Sequence, residues 1–89
     1  MTKRGKLEIV YDILRTIQKN NNSIKPTPLL RKSNISTVRF KEYFSELITK
    51  DFVREINNKG ENLISLTDKG FKFLEKYNTI ISFIDEFEL

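Results

Sequence analysis

The most restrictive feature of this sequence lies between Pro26 and Lys50, where two helix-forming segments are separated only by the junction Ser33-Asn34-Ile35-Ser36. Upstream of it, Thr27 is placed to cap a helix and Pro28 to occupy the first helical position, where its missing N–H is harmless. That predicts a short helix of about two turns ending near Ser33. Asn34 tolerates the left-handed conformation that a tight turn requires, and Ile35 is the apolar residue that pins the turn to a core. Ser36 is placed to cap a longer helix over Thr37 to Lys50. That helix carries Phe40, Tyr43, Phe44, Leu47 and Ile48 on one side and Val38, Lys41, Glu42, Ser45 and Thr49 on the other.

The flanking segments limit the architecture further. From Lys6 to Asn20, Leu7, Val10, Ile13, Leu14 and Ile17 recur at three- and four-residue spacing, the stripe of an amphipathic helix, and Asn20-Asn21-Asn22-Ser23 stops it. After Asp51, the runs Phe52 to Ile56 and Leu63 to Leu66 flank a loop from Asn57 to Asn62 and predict a hairpin. Thr67 is placed to cap a last helix with Asp68 in its first turn. Gly70 costs that helix roughly 1 kcal/mol relative to Ala, which predicts close packing against a neighbour there.

Short helix, tight turn, capped helix and hairpin in this order are the parts of a winged helix-turn-helix. The expected fold is therefore α+β but mainly α: three helices, a two-stranded hairpin wing and a C-terminal helix. Residues 1–5 read as a basic arm, 6–66 as the winged domain and 67–89 as the C-terminal helix.

Composition narrows the chemistry. The chain has 89 residues, enough for one domain, with no cysteine and no histidine. Disulfides, thiol nucleophiles, imidazole bases and zinc sites built from those ligands are excluded, and no paired-acid arrangement is evident, so the expectation is a non-enzyme without metal or cofactor. Residues 1–66 hold 13 Lys and Arg against 7 Asp and Glu, a net +6, whereas residues 67–89 hold 3 against 5, a net −2; together these give the +4 of the chain. A basic body predicts a surface for a polyanion, and an acidic tail predicts a different role. No apolar run approaches the roughly 18 residues that span a bilayer, and no signal-peptide core follows Lys3-Arg4-Gly5-Lys6. The expected setting is cytoplasmic and nucleoid-associated, without membrane or small-molecule partner.

Lys6 to Leu14, Lys25-Pro26-Thr27-Pro28-Leu29-Leu30, Ile35-Ser36 through Phe44, and Leu66-Thr67-Asp68-Lys69-Gly70 through Tyr77 resemble the archaeal winged-helix proteins described as predicted transcriptional regulators. The resemblance covers nearly the whole chain from about Lys6 onward. Some relatives are small basic chromatin proteins that dimerise through an antiparallel coiled coil of their C-terminal helices. The resemblance thus implies double-stranded DNA binding as a homodimer, although the last helix is shorter here than in those chromatin proteins.

On a helix-turn-helix, the second helix of the pair enters the major groove. The candidates there are Ser36, Thr37, Val38, Arg39, Lys41, Glu42 and Ser45. Arg39 or Lys41 would donate to guanine, Glu42 would accept from cytosine N4, and Val38 or Thr37 would touch a thymine methyl. Ser36 is expected chiefly to cap, and the Tyr43 hydroxyl to reach a phosphate from the edge of the core. Lys59 and Arg54 in the wing, Lys3, Arg4 and Lys6 in the arm, and Lys25, Arg31 and Lys32 around the shorter helix would grip backbone. In the last helix, Phe73, Tyr77, Ile80, Ile84 and Phe87 follow a 4-3-4-3 seam and, with Ile81, form the candidate dimer interface; its first turns would pack on the core through Phe71 and Leu74. The competing arrangement folds this helix back onto the first one. Competing functions are a protein-interaction module and a nonspecific chromatin protein.

Overall fold

The first helix, α1 (Lys6–Lys19), turns Ile9, Val10, Ile13, Leu14 and Ile17 into the core of the computed structural model, which describes residues 5–88. Leu7, expected on that stripe, is instead 62% exposed, and Ile9 is buried in its place. Ile9 lies about 40° from Ile13 on the inward side, whereas Leu7, although near the angular position of buried Leu14, sits in the first turn at the open end of the helix. α1 ends at Asn20, and Asn21 and Asn22 follow with left-handed backbones. The Asn22 carboxamide oxygen accepts from Leu66 N–H at 2.7 Å, and its carbonyl accepts from the Ser65 hydroxyl at 2.7 Å. The asparagine run therefore clasps a strand 40 residues downstream as well as stopping a helix.

The second helix, α2, spans Pro26–Ser33. It opens earlier than the Thr27 cap predicts: Lys25 is the extended N-cap residue and Pro26 begins the helix. A proline holds its predecessor extended and presets its own φ for a first helical turn, so Pro26 sets the boundary and Thr27 lies inside. Asn34 adopts φ +56°, and Ile35 packs against the core. Ser36 then caps α3 (Thr37–Thr49), its hydroxyl accepting from Arg39 N–H at 3.2 Å. Phe40 and Leu47 are buried from this helix, with Tyr43, Phe44 and Ile48 packed at the margin.

The hairpin is longer and tighter than the six-residue loop read from sequence. β1 (Val53–Asn58) and β2 (Glu61–Leu66) pair antiparallel from Val53 opposite Leu66 to Asn58 opposite Glu61. Only Lys59 and Gly60 form the turn, with φ +54° and +83°. Positive φ at both central residues is the twist-matched solution for a two-residue hairpin, and Gly60 N–H is held by the Asn57 side chain at 3.3 Å. Asn57, Asn58, Glu61 and Asn62 are exposed, so their polarity does not oppose a backbone ladder. β2 is flanked on its other edge by Ile24, whose backbone exchanges hydrogen bonds of 3.2 and 2.8 Å with Ile64.

The last helix, α4 (Asp68–Glu86), is capped by Thr67, which accepts from Gly70 N–H at 3.2 Å. Gly70 makes the close approach expected of it: a Cβ there would collide with the backbone carbonyl oxygen of Phe52. Leu74 is buried, but Phe71 is exposed, contrary to expectation. Phe73 takes the inward role, edge-on to Phe52 at 5.6 Å between ring centroids.

Candidate nucleic-acid interface

Helical geometry sorts the solvent side of α3 into lanes. Val38, Glu42, Ser45 and Thr49 fall within about 60° of one another along the outermost lane, with Thr37 and Lys41 on one flank and Arg39 on the other. All seven are exposed. The six expected recognition residues of the helix body thus share one continuous face, and Ser36 sits at its N-terminal end as a cap.

Arg39 is not a free cation on that face. Its guanidinium donates to the Tyr43 hydroxyl at 3.1 Å and lies 5.7 Å from the centre of the Tyr43 ring. The i,i+4 spacing that makes this contact is visible in sequence, yet Tyr43 was expected to aim its hydroxyl elsewhere. One turn further on, Glu46 accepts from Lys6 at 2.8 Å and from Lys50 at 2.9 Å. These two ammonium groups hold its carboxyl below the ordinary value of 4.5. Lys6 is therefore paired, tying the start of α1 to the end of α3, and does not hang in an arm. Lys25 likewise pairs with Glu61 at 3.4 Å, joining the start of α2 to the wing.

The other expected cations are exposed. Arg31 and Lys32 occupy the last turn of α2, immediately before the junction into α3. Lys41 is on α3, and Lys59 is at the wing tip. Arg54, opposite Ser65 in the hairpin, borders a shallow polar recess together with Asp68 and Phe71 at the start of α4. Lys3 and Arg4 lie outside the described residues.

The candidate seam of α4 divides into two parts. Tyr77 stacks on Tyr11 of α1 at 4.3 Å and on Phe73 at 6.0 Å, and the Tyr11 hydroxyl donates to Asn78 at 3.0 Å. Burial, together with the nearby carboxylates of Glu8 and Asp12, raises the Tyr77 hydroxyl above its ordinary value of 10.0. Phe73 and Tyr77 are thus engaged inside the chain, the part of the fold-back arrangement that the structure realises. Beyond them the helix projects: Ile80 is 56%, Phe83 54% and Phe87 58% exposed, with Ile81 also exposed and Ile84 half-buried. The molecule extends 48 Å along its longest axis and 22 Å along its shortest.

Three helices, a tight αα junction, a hairpin wing and a free outer face on the second helix of the pair define a winged helix-turn-helix protein. The profile of the winged helix-turn-helix family matches residues 3–85, and the chain belongs to that family. It is 29% identical over 82 residues to an uncharacterized protein of Methanocaldococcus jannaschii; that match covers 92% of this chain but 36% of the relative. The chain thus spans little more than a third of that relative's length. Among solved structures it resembles Sso10a-2, a DNA-binding protein from Sulfolobus solfataricus, with TM-score 0.77 and 20% identity over 96% of this chain and 86% of that one. SSV1 F-93 is similar with TM-score 0.68 and 27% identity, over 96% of this chain and 99% of the other. The winged-helix DNA-binding protein F93 from STIV gives TM-score 0.75 and 21% identity, over 89% and 91%.

Proposed function

We propose that this protein binds double-stranded DNA as a homodimer and acts as a transcription regulator by occupying its site. The observation that carries the reading is the α3 face itself. In a helix whose other side is core, seven adjacent positions are left open to solvent on the element that enters the major groove in this fold. Arg31, Lys32, Lys41 and Lys59 supply exposed positive charge on α2, α3 and the wing for phosphate contacts, which position a protein without specifying sequence. Sso10a-2 and F93 from STIV, similar in fold, are described as DNA-binding proteins.

Dimerisation through the distal part of α4 follows from its surface. Ile80, Ile81, Phe83 and Phe87 make an apolar patch that a second copy would cover, and a symmetric pair is the economical way to do so. Charge favours an antiparallel pair. Asp85 and Glu86 stand at the negative end of the helix dipole, where acids are unfavourable, while Lys72 and Lys76 stand in the proximal half. Antiparallel packing brings the acids of one protomer toward the lysines of the other.

Titrating a labelled duplex at low salt tests the function. The protein binds, and Lys41→Ala weakens binding by about tenfold if the side chain donates to a base. Unchanged affinity in the variant moves the contact away from this face of α3.

A further inference from the structure

The outermost lane of α3 contains no cation. Its members are Val38, Glu42, Ser45 and Thr49; the only charge among them is a carboxylate, placed at the middle of the surface that the reading above turns toward DNA. The other acid of the helix, Glu46, is neutralised by Lys6 and Lys50. Glu42 is exposed and has no hydrogen-bonding or ionic partner among the described residues. The flanking arginine that would offset it is drawn aside onto Tyr43. In a basic body facing a polyanion, such an acid opposes every contact made through phosphate charge alone.

A carboxylate accepts hydrogen bonds and donates none. In the major groove, the donors are cytosine N4 and adenine N6, whereas guanine and thymine present acceptors. Cytosine shows its donor without a neighbouring acceptor on the same base; adenine sets N7 beside its donor, and N7 repels a carboxylate. One turn earlier in the lane, Val38 is 68% exposed, a methyl-bearing surface suited to the thymine C5 methyl. Four residues of helix span about 6 Å, roughly two base steps.

We propose that Glu42 is the specificity-determining residue of this interface: it accepts from cytosine N4 and penalises duplexes that offer no donor at that position. The proposal rests on α3 being the groove helix. Glu42 therefore lowers affinity for DNA in general and raises the ratio between a preferred site and the rest.

The test is selection from a random-sequence duplex pool with the full chain, as wild type and as Glu42→Gln. The wild type enriches cytosine at one position of each half-site. A glutamine amide pairs with adenine N6 and N7, so the variant enriches adenine there. Removing the charge also tightens binding to the unselected pool, and the ratio of affinity for the wild-type-selected duplex to that for the unselected pool falls about tenfold or more. Because Glu42 is exposed and makes no hydrogen bond or ion pair among the described residues, the thermal midpoint stays unchanged, which separates readout from folding. If both proteins bind duplex and enrich the same sequences with the same ratio, Glu42 is not a reader, while DNA binding stands. If neither binds duplex, the proposal falls together with the function it rests on.

Discussion

Gly70 shows how one missing carbon sets the relation between two elements. In isolation, alanine at this helical position would be favoured by roughly 1 kcal/mol. Here its Cβ would enter the Phe52 carbonyl oxygen, a backbone atom that already accepts from Thr67 N–H at 3.1 Å and cannot swing aside as a side chain can. Gly70→Ala is therefore expected to destabilise the fold by about 1–3 kcal/mol in urea denaturation, the range for overpacking. A gain in stability would mean that α4 shifts freely on the hairpin root. Glu46 gives a prediction in pH. Its carboxyl is depressed by hydrogen bonds from Lys6 and then Lys50, so the stability it supplies is present above its ordinary 4.5 and lost as pH falls through the folded value. Wild type should exceed Glu46→Gln in urea midpoint at about pH 7, and the gap should close at about pH 3. A gap that persists in acid would show that the glutamate acts by packing instead of charge.

At the scale of elements, boundaries were legible where a local chemical signal decides them and not where tertiary contacts do. Ser36 and Thr67 carry cap signatures, Asn34 a left-handed turn and Gly70 a close approach, and all four are found as read. The start of α2 reads from sequence as a Thr27 cap before Pro28, whereas the folded chain begins the helix one proline earlier, at Pro26. The extent of the wing is not legible because Asn57, Asn58 and Asn62 look like loop, although a solvent-exposed ladder accepts polar side chains. The clasp from Asn22 to β2 and the Ile24–Ile64 pair join residues about 40 apart, which no periodicity reports. On the candidate interface, the positions of α3 were legible from helical geometry, whereas the pairing of Lys6 and Lys25 with Glu46 and Glu61 was not. For α4, Tyr77 is held by Tyr11, and the proposed partner surface begins after it. Ile84→Asp places a charge within that surface and should convert a sedimenting dimer to monomers without loss of helix. A wild-type protein that already sediments as a monomer would remove the dimer from the account.

At the scale of the whole molecule, the net charge of +4 is unevenly used. Part of the positive charge is internal stitching: Lys6 and Lys50 of the body serve Glu46, Lys25 serves Glu61, and Lys69 of the last helix donates to the Lys50 carbonyl at 2.8 Å. Arg31, Lys32, Lys41, Arg54 and Lys59, on α2, α3 and the wing, are exposed and make no ion pair among the described residues. Two protomers joined through α4 would present two such sets at a fixed separation, so half-site spacing becomes a property of the dimer seam. The most direct test is duplex affinity measured across a range of salt concentrations. A dimer that neutralises about six or more phosphates should give a log–log slope of about −5 or steeper, with affinity falling by about three orders of magnitude between about 50 and 200 mM salt. No duplex binding at low salt, or binding indifferent to salt, would contradict the proposed function.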